Sequence, residues 1–157
     1  MIFYLFWSAL FVAAAVCAVQ MSISDFRRRI IPDAYLFPLM LIGLITAVFF
    51  PHWVCGIQNA TIGAAMGYTL GAGVGFIFDW LGRKKDPNAQ IPIGMGDIKL
   101  LAVGGLWLGT TGLAIALVAS CVLGILWGTY RKQRFIPFAP FFITGAILAL
   151  IIMAFLV

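Results

Sequence analysis

Charge in this chain is scarce and gathered. Its ten lysines and arginines fall in three clusters, Arg27 to Arg29, Arg83 to Lys85 with Lys99 just beyond, and Arg131 to Arg134, and the stretches between are apolar. A soluble domain carries about 25% charged residues. This one carries 10%, with 64% hydrophobic residues and a mean hydropathy of +1.11. Such a chain is an integral membrane protein. Its connectors are too short to hold a separate soluble domain, so residues 1–157 read as a single membrane-embedded domain. The first apolar run, Met1 to Ile23, lacks a basic start and a small-residue cleavage site, and is read as a retained span.

A spanning helix needs about 20 apolar residues. The chain offers Met1 to Ser24, Ala34 to Phe50, Ala60 to Leu81, a long segment from Ile98 to Tyr130, and Pro137 to Val157. The long segment would reach about 50 Å as one helix, against a hydrocarbon core about 30 Å thick. Gly109-Thr110-Thr111-Gly112 offers a turn inside it, giving a short span, Ile98 to Leu108, and an ordinary one, Leu113 to Tyr130.

Charge supports the division, because cytoplasmic loops collect lysine and arginine. Only if the disputed segment crosses twice do the second and third clusters share a side. The expected architecture is therefore all-α and polytopic, with about six transmembrane helices, one of them short, and both termini outside. The net charge of +5 follows from that topology and from contact with anionic lipid headgroups, so no nucleic-acid partner is expected.

Against this background the acids stand out. Asp25 closes the first span and Asp97 opens the fourth, 72 positions apart in sequence but at one depth. A carboxylate at a membrane boundary loses hydration, and its presence asks first for a functional explanation. Two carboxyl groups on either side of a water can divide the labour of hydrolysis, one taking a proton from water and the other giving one to a carbonyl oxygen. Asp97 begins a helix, where the macrodipole favours an anion, whereas Asp25 ends one. Arg27, Arg28 and Arg29 act in the opposite sense on Asp25, so the division of roles stays open. Gly94 and Gly96 let another chain approach the segment that presents Asp97.

The other polar residues have plainer readings. Asp33 precedes an apolar run and is expected to cap the second span. Asp79 and Asp86 flank Arg83 to Lys85 and read as solvated or paired loop charges. His52 reads as a loop residue, and Cys17, Cys55 and Cys121 are scattered singly, so neither a metal nor a disulfide is expected. Gly63, Gly67, Gly71 and Gly75 recur every four residues, as do Gly124 and Gly128, a spacing that serves close helix packing within the molecule before it serves a dimer.

Three blocks carry a resemblance. Asp25 to Asp33 resembles a D-x6-P-[DN] element, Gly94 to Gly109 (GMGDIKLLAVGGLWLG) a GxGD-x-K-L-L-A element, and Ile136 to Phe141 (IPFAPF) a PFGPF element, in the order found in the prepilin peptidases of type IV pili, Flp pili and type II secretion systems. These are GxGD membrane aspartic proteases of the bacterial inner membrane. The resemblance implies an endopeptidase that removes the basic leader of a prepilin or pseudopilin at the cytoplasmic face, with Asp25 and Asp97 as its catalytic aspartates and no cofactor. Lys99 matches the second block; it could act on Asp97 or meet lipid phosphate. Many members also N-methylate the new pilin end and carry paired CxxC motifs. This chain has no such cysteine pairs, so methyl transfer is not expected; its other departure, Ala139 where glycine is commoner, is a mild change that alters no expectation. Two other classes compete: a small channel or transporter, which would place acids at the bilayer midplane, and a noncatalytic assembly factor, which would not need both aspartates. Oligomeric state is not legible.

Overall fold

The computed structural model describes residues 2–50, 55–85, 93–132 and 136–156. It contains five helices: α1 (Ile2–Arg28), α2 (Asp33–Phe49), α3 (Ile57–Lys85), α4 (Met95–Arg131) and α5 (Phe138–Leu156). All but α2, which has 17 residues, are long and apolar enough to cross a membrane. The protein is a polytopic all-α membrane protein. His52 and Asp86 lie outside the described residues, and so does Arg134.

The α4 helix is two arms. Gly109 has φ 66° and ψ −169°, outside the helical region and open essentially to glycine alone. The chain folds back there, as the neighbours of each arm show. A Cβ on Gly71 would press on Ile98, one on Gly63 would overlap the Gly109 backbone, and Gly67 lies against Leu101, so residues 95–108 run antiparallel to α3. Residues 110–131 then run antiparallel to α5, with Gly112 against Met153, Gly145 against Ala116, and Gly124 against Ile136. Trp127, near the end of α4, packs its ring edge-on to Phe26, with centroids 6.1 Å apart, and at a tilt to Phe141, 6.0 Å away. Both ends of α4 thus meet the end of α1 that carries Asp25. The expected short span exists, and its turn is tighter than expected, a single non-helical glycine rather than four residues.

Two residues, one in the first turn of α3 and one just before it, stabilise that turn. The Asn59 side-chain oxygen accepts hydrogen bonds from the Thr110 backbone N–H (3.2 Å) and the Thr110 hydroxyl (3.1 Å), capping the second arm. The buried Cys55 thiol donates to the carbonyls of Leu106 and Trp107 at 3.5 and 3.6 Å. On the other side, Gly43 leaves room for the Trp107 indole, whose N–H donates to the Leu39 carbonyl at 2.9 Å and ties α2 to the first arm.

The α3 glycines therefore pack within the molecule. Gly63 and Gly105 meet backbone to backbone, a separation at which neither could carry a side chain. The core runs through Met21, Leu36, Leu100, Leu108, Leu113 and Phe142, while Phe76, Val118, Ile125 and Phe155 point outward, as suits a protein solvated by lipid. Arg27 to Arg29, Arg83, Lys84, Lys99 and Arg131 gather at the end opposite Gly109.

Candidate active site

Asp25 lies in the last turn of α1, three residues before its end at Arg28, and it is 5% exposed. Charged side chains are almost never this buried without a partner. The partner comes from the far end of the chain: the Ala139 N–H donates to Asp25 Oδ2 at 2.8 Å. Ala139 is the second residue of α5, where amides have no helical acceptor. Asp25 thus caps α5. The C-terminal end of the α1 macrodipole disfavours an anion here, whereas the positive end of α5, which also faces this carboxylate, favours one. Arg29 lies within electrostatic reach of it as well.

Directly after Asp25 the chain stops its helix. Arg29 takes a left-handed conformation, φ 55°, with its N–H donating to the Asp25 carbonyl at 2.9 Å. Ser24 Oγ donates to the Ile30 carbonyl at 2.9 Å and fixes the link to α2. A side chain on Gly96 would come within 2.9 Å of Ile31 Cβ. Glycine at 96 therefore serves to bring the α4 start against the α1–α2 link, beside Asp25.

Asp97 sits in the first turn of α4. Its side chain reaches back to accept the Gly94 N–H at 3.3 Å, while its own N–H donates to the Gly94 carbonyl at 3.1 Å. That reciprocal arrangement is possible because the segment opens a helix, as the sequence suggested. Asp97 and Asp25 lie within electrostatic reach of each other. Both carboxylates therefore stand at helix N-termini, Asp97 at its own and Asp25 at that of α5.

One expectation is corrected, and one of the readings left open for Lys99 is removed. Asp33 is not a cap: Pro32 occupies the N-cap of α2, and no side-chain capping bond forms there. Lys99 does not hold Asp97. Its ammonium grips both oxygens of Asp33, at 2.7 and 2.9 Å, and lies 5.9 Å from the Phe37 ring centre. Residues two apart on a helix do not share a face, which turns Lys99 away from Asp97. Asp79 pairs with Arg83 at 2.9 Å, as one of its expected readings had it, but the pair sits one turn apart on α3 rather than in a loop.

Sequence reasoning missed three members of this neighbourhood. The Ala139 amide and the Asp33–Lys99 pair lie inside the motif blocks but carry no local signal of their partners. Trp127, sandwiched between Phe26 and Phe141 with the Arg131 guanidinium 5.0 Å from its ring, lies outside every block. Below the carboxylates, toward Gly109, an apolar cavity of about 220 Å³ opens between α1, α2, the first arm of α4 and α5, lined by residues including Phe11, Ala18, Leu100, Trp107 and Phe142. Among the described residues no three of His, Cys, Asp and Glu converge as a metal ligand set would require. The arrangement can do the chemistry of paired carboxylates: abstract, hold and return protons around a water between them.

Comparison with known proteins places the chain in a family. Residues 9–129 match the family model described as type IV leader peptidase family. The chain is 36% identical over 131 residues to a prepilin leader peptidase/N-methyltransferase of Xanthomonas campestris pv. campestris, covering 78% of this chain and 42% of that protein. It is 32% identical over 130 residues to one from Pseudomonas putida, covering 78% and 42% respectively, and 32% identical over 142 residues to one from Burkholderia pseudomallei, covering 85% and 43%. The chain thus spans less than half the length of the curated relatives it matches. No solved structure matches it.

Proposed function

The chain belongs to the type IV leader peptidase family, and from that membership we propose that it is an aspartic endopeptidase that cleaves the basic leader from prepilin-like precursors, pilins or pseudopilins, with Asp25 and Asp97 as its catalytic residues. The observation that carries the reading is the meeting of two carboxylates, from α1 and α4, at one end of a membrane bundle and within electrostatic reach of each other. The basic residues gathered at that same end support its placement at the cytoplasmic face.

The reaction needs one ionised and one protonated carboxyl group. The ionised group takes a proton from the bound water as its oxygen attacks the scissile carbonyl carbon, and the protonated group donates to the carbonyl oxygen. Collapse of the tetrahedral intermediate breaks the C–N bond, and the proton gained from water passes to the departing amine. The leader leaves with a new carboxyl end and the mature protein with a new amino end. Asp25 is fixed through its Oδ2 by the Ala139 amide at the start of α5. A coupled pair shares its protons, so the two roles belong to the pair. Cleavage of the leader, rather than methyl transfer, is the part of the relatives' chemistry that this carboxylate pair supports.

The test is Asp25→Asn and Asp97→Asn, each nearly isosteric, co-expressed with a prepilin from the same genome and followed by the mobility shift on leader removal. Both variants are expected to accumulate in the membrane and leave the precursor uncut. Processing at the wild-type rate by either variant would refute the two-aspartate mechanism and favour a noncatalytic assembly role.

A further inference from the structure

Asp97 is lightly held for a residue that must meet another carboxylate accurately. Its one described side-chain hydrogen bond, to the Gly94 N–H, is long at 3.3 Å, and it sits in a first turn whose flanking Gly94 and Met95 are exposed. First turns lack half of their helical hydrogen bonds. Something outside that turn must fix it relative to Asp25.

Two contacts reach it from the α1–α2 link. One is steric, Gly96 against Ile31. The other is charged and two-pronged, Lys99 Nζ on both oxygens of Asp33 at 2.7 and 2.9 Å. The link itself is short, runs from the left-handed Arg29 to Asp33, and is tied back to α1 by the Ser24 hydroxyl on the Ile30 carbonyl. Asp25 stands four residues before one end of this link, and Asp97 two residues before Lys99. Resting on the endopeptidase reading above, we propose that Asp33 and Lys99 are a positioning pair, a latch across the α1–α2 link and the first turn of α4 that sets how Asp97 stands to Asp25.

The pair's exposure separates this role from a stabilising one. The two side chains are 47% and 36% exposed, and ion pairs so open to solvent add little to folding stability. Positional error in a hydrolytic site, by contrast, is expensive: a displacement of about 1 Å can cost about a hundredfold in rate. A latch should therefore show in turnover and hardly at all in melting.

The experiment compares purified Asp33→Asn, Lys99→Met and the double variant, with Asp33→Glu and Lys99→Arg as charge-preserving controls and wild type and Asp25→Asn alongside, in cleavage of a prepilin in detergent micelles. Each neutral single variant is expected to lower kcat roughly ten- to hundredfold with KM and melting temperature unchanged. The double variant should be no slower than either single one, since a broken latch cannot be broken twice, and the charge-preserving variants should keep most activity. Wild-type kcat in both neutral variants, losses that multiply in the double variant, or losses that track a fall in melting temperature would each overturn the latch. If Asp25→Asn cleaves as well as wild type, the endopeptidase reading itself has failed, a result distinct from any of these.

Discussion

Replacing Gly109 by alanine tests the fold-back on which the site depends. The cost has two sources. At φ 66° and ψ −169° a non-glycine residue is strained by about 1–3 kcal/mol. Its Cβ would also stand 2.6 Å from Asn59 Nδ2, displacing the side chain that caps Thr110, and losing such a cap costs about 0.5–2 kcal/mol. Together these give about 1.5–5 kcal/mol, which for a domain of this size lowers the melting temperature by roughly 3–20 °C. Gly73 supplies the control: a Cβ there would meet nothing within 4 Å, so Gly73→Ala should be neutral or stabilising by up to about 1 kcal/mol. The assay is thermal unfolding of purified variants in one detergent, with prepilin processing measured in parallel. Gly109→Ala melting together with Gly73→Ala would refute the single-glycine reversal, and with it the reason both ends of α4 reach Asp25.

Two further outcomes follow from the same geometry. Asp25→Ala should lose cleavage and also about 1–3 kcal/mol of stability, because the buried Ala139 N–H is left without an acceptor, whereas Asp25→Asn keeps an acceptor and should melt close to wild type; equal melting of the two variants would show that the bond to α5 contributes nothing. Reporter fusions after Asp33, Pro87 and Gln133 should all report the cytoplasm, and an external signal after Gln133 would mean that residues 95–131 cross the membrane once.

Much of this was legible in the sequence because a bilayer makes strong demands. Ten basic residues had to share a side, so an apolar segment too long for one crossing had to turn, and Gly109-Thr110-Thr111-Gly112 offered a place. The span limits followed equally, with Ala60 to Leu81 extended in α3 by a turn or less at each end. Asp25 and Asp97 announced themselves by being acids where acids are costly. The partners were hidden for the opposite reason. Asp33 reads locally as a cap, and only the placement of Lys99, 66 residues away, turns it into an ion-pair partner. Asn59 looks like any polar residue at a span boundary until Gly109 lands beside it. Ala139 has no functional group except the amide every residue has, and its value comes from standing at a helix start opposite a carboxylate.

That last bond has a temporal meaning. Asp25 is made with α1, yet its amide donor lies 114 residues later, in α5. Until α5 is inserted, the Asp25 carboxylate waits at the membrane without the group that orients it. A nascent chain that already contains both aspartates still lacks the bond that orients one of them, so under the proposed reading the order of synthesis delays activity until α5 is in place.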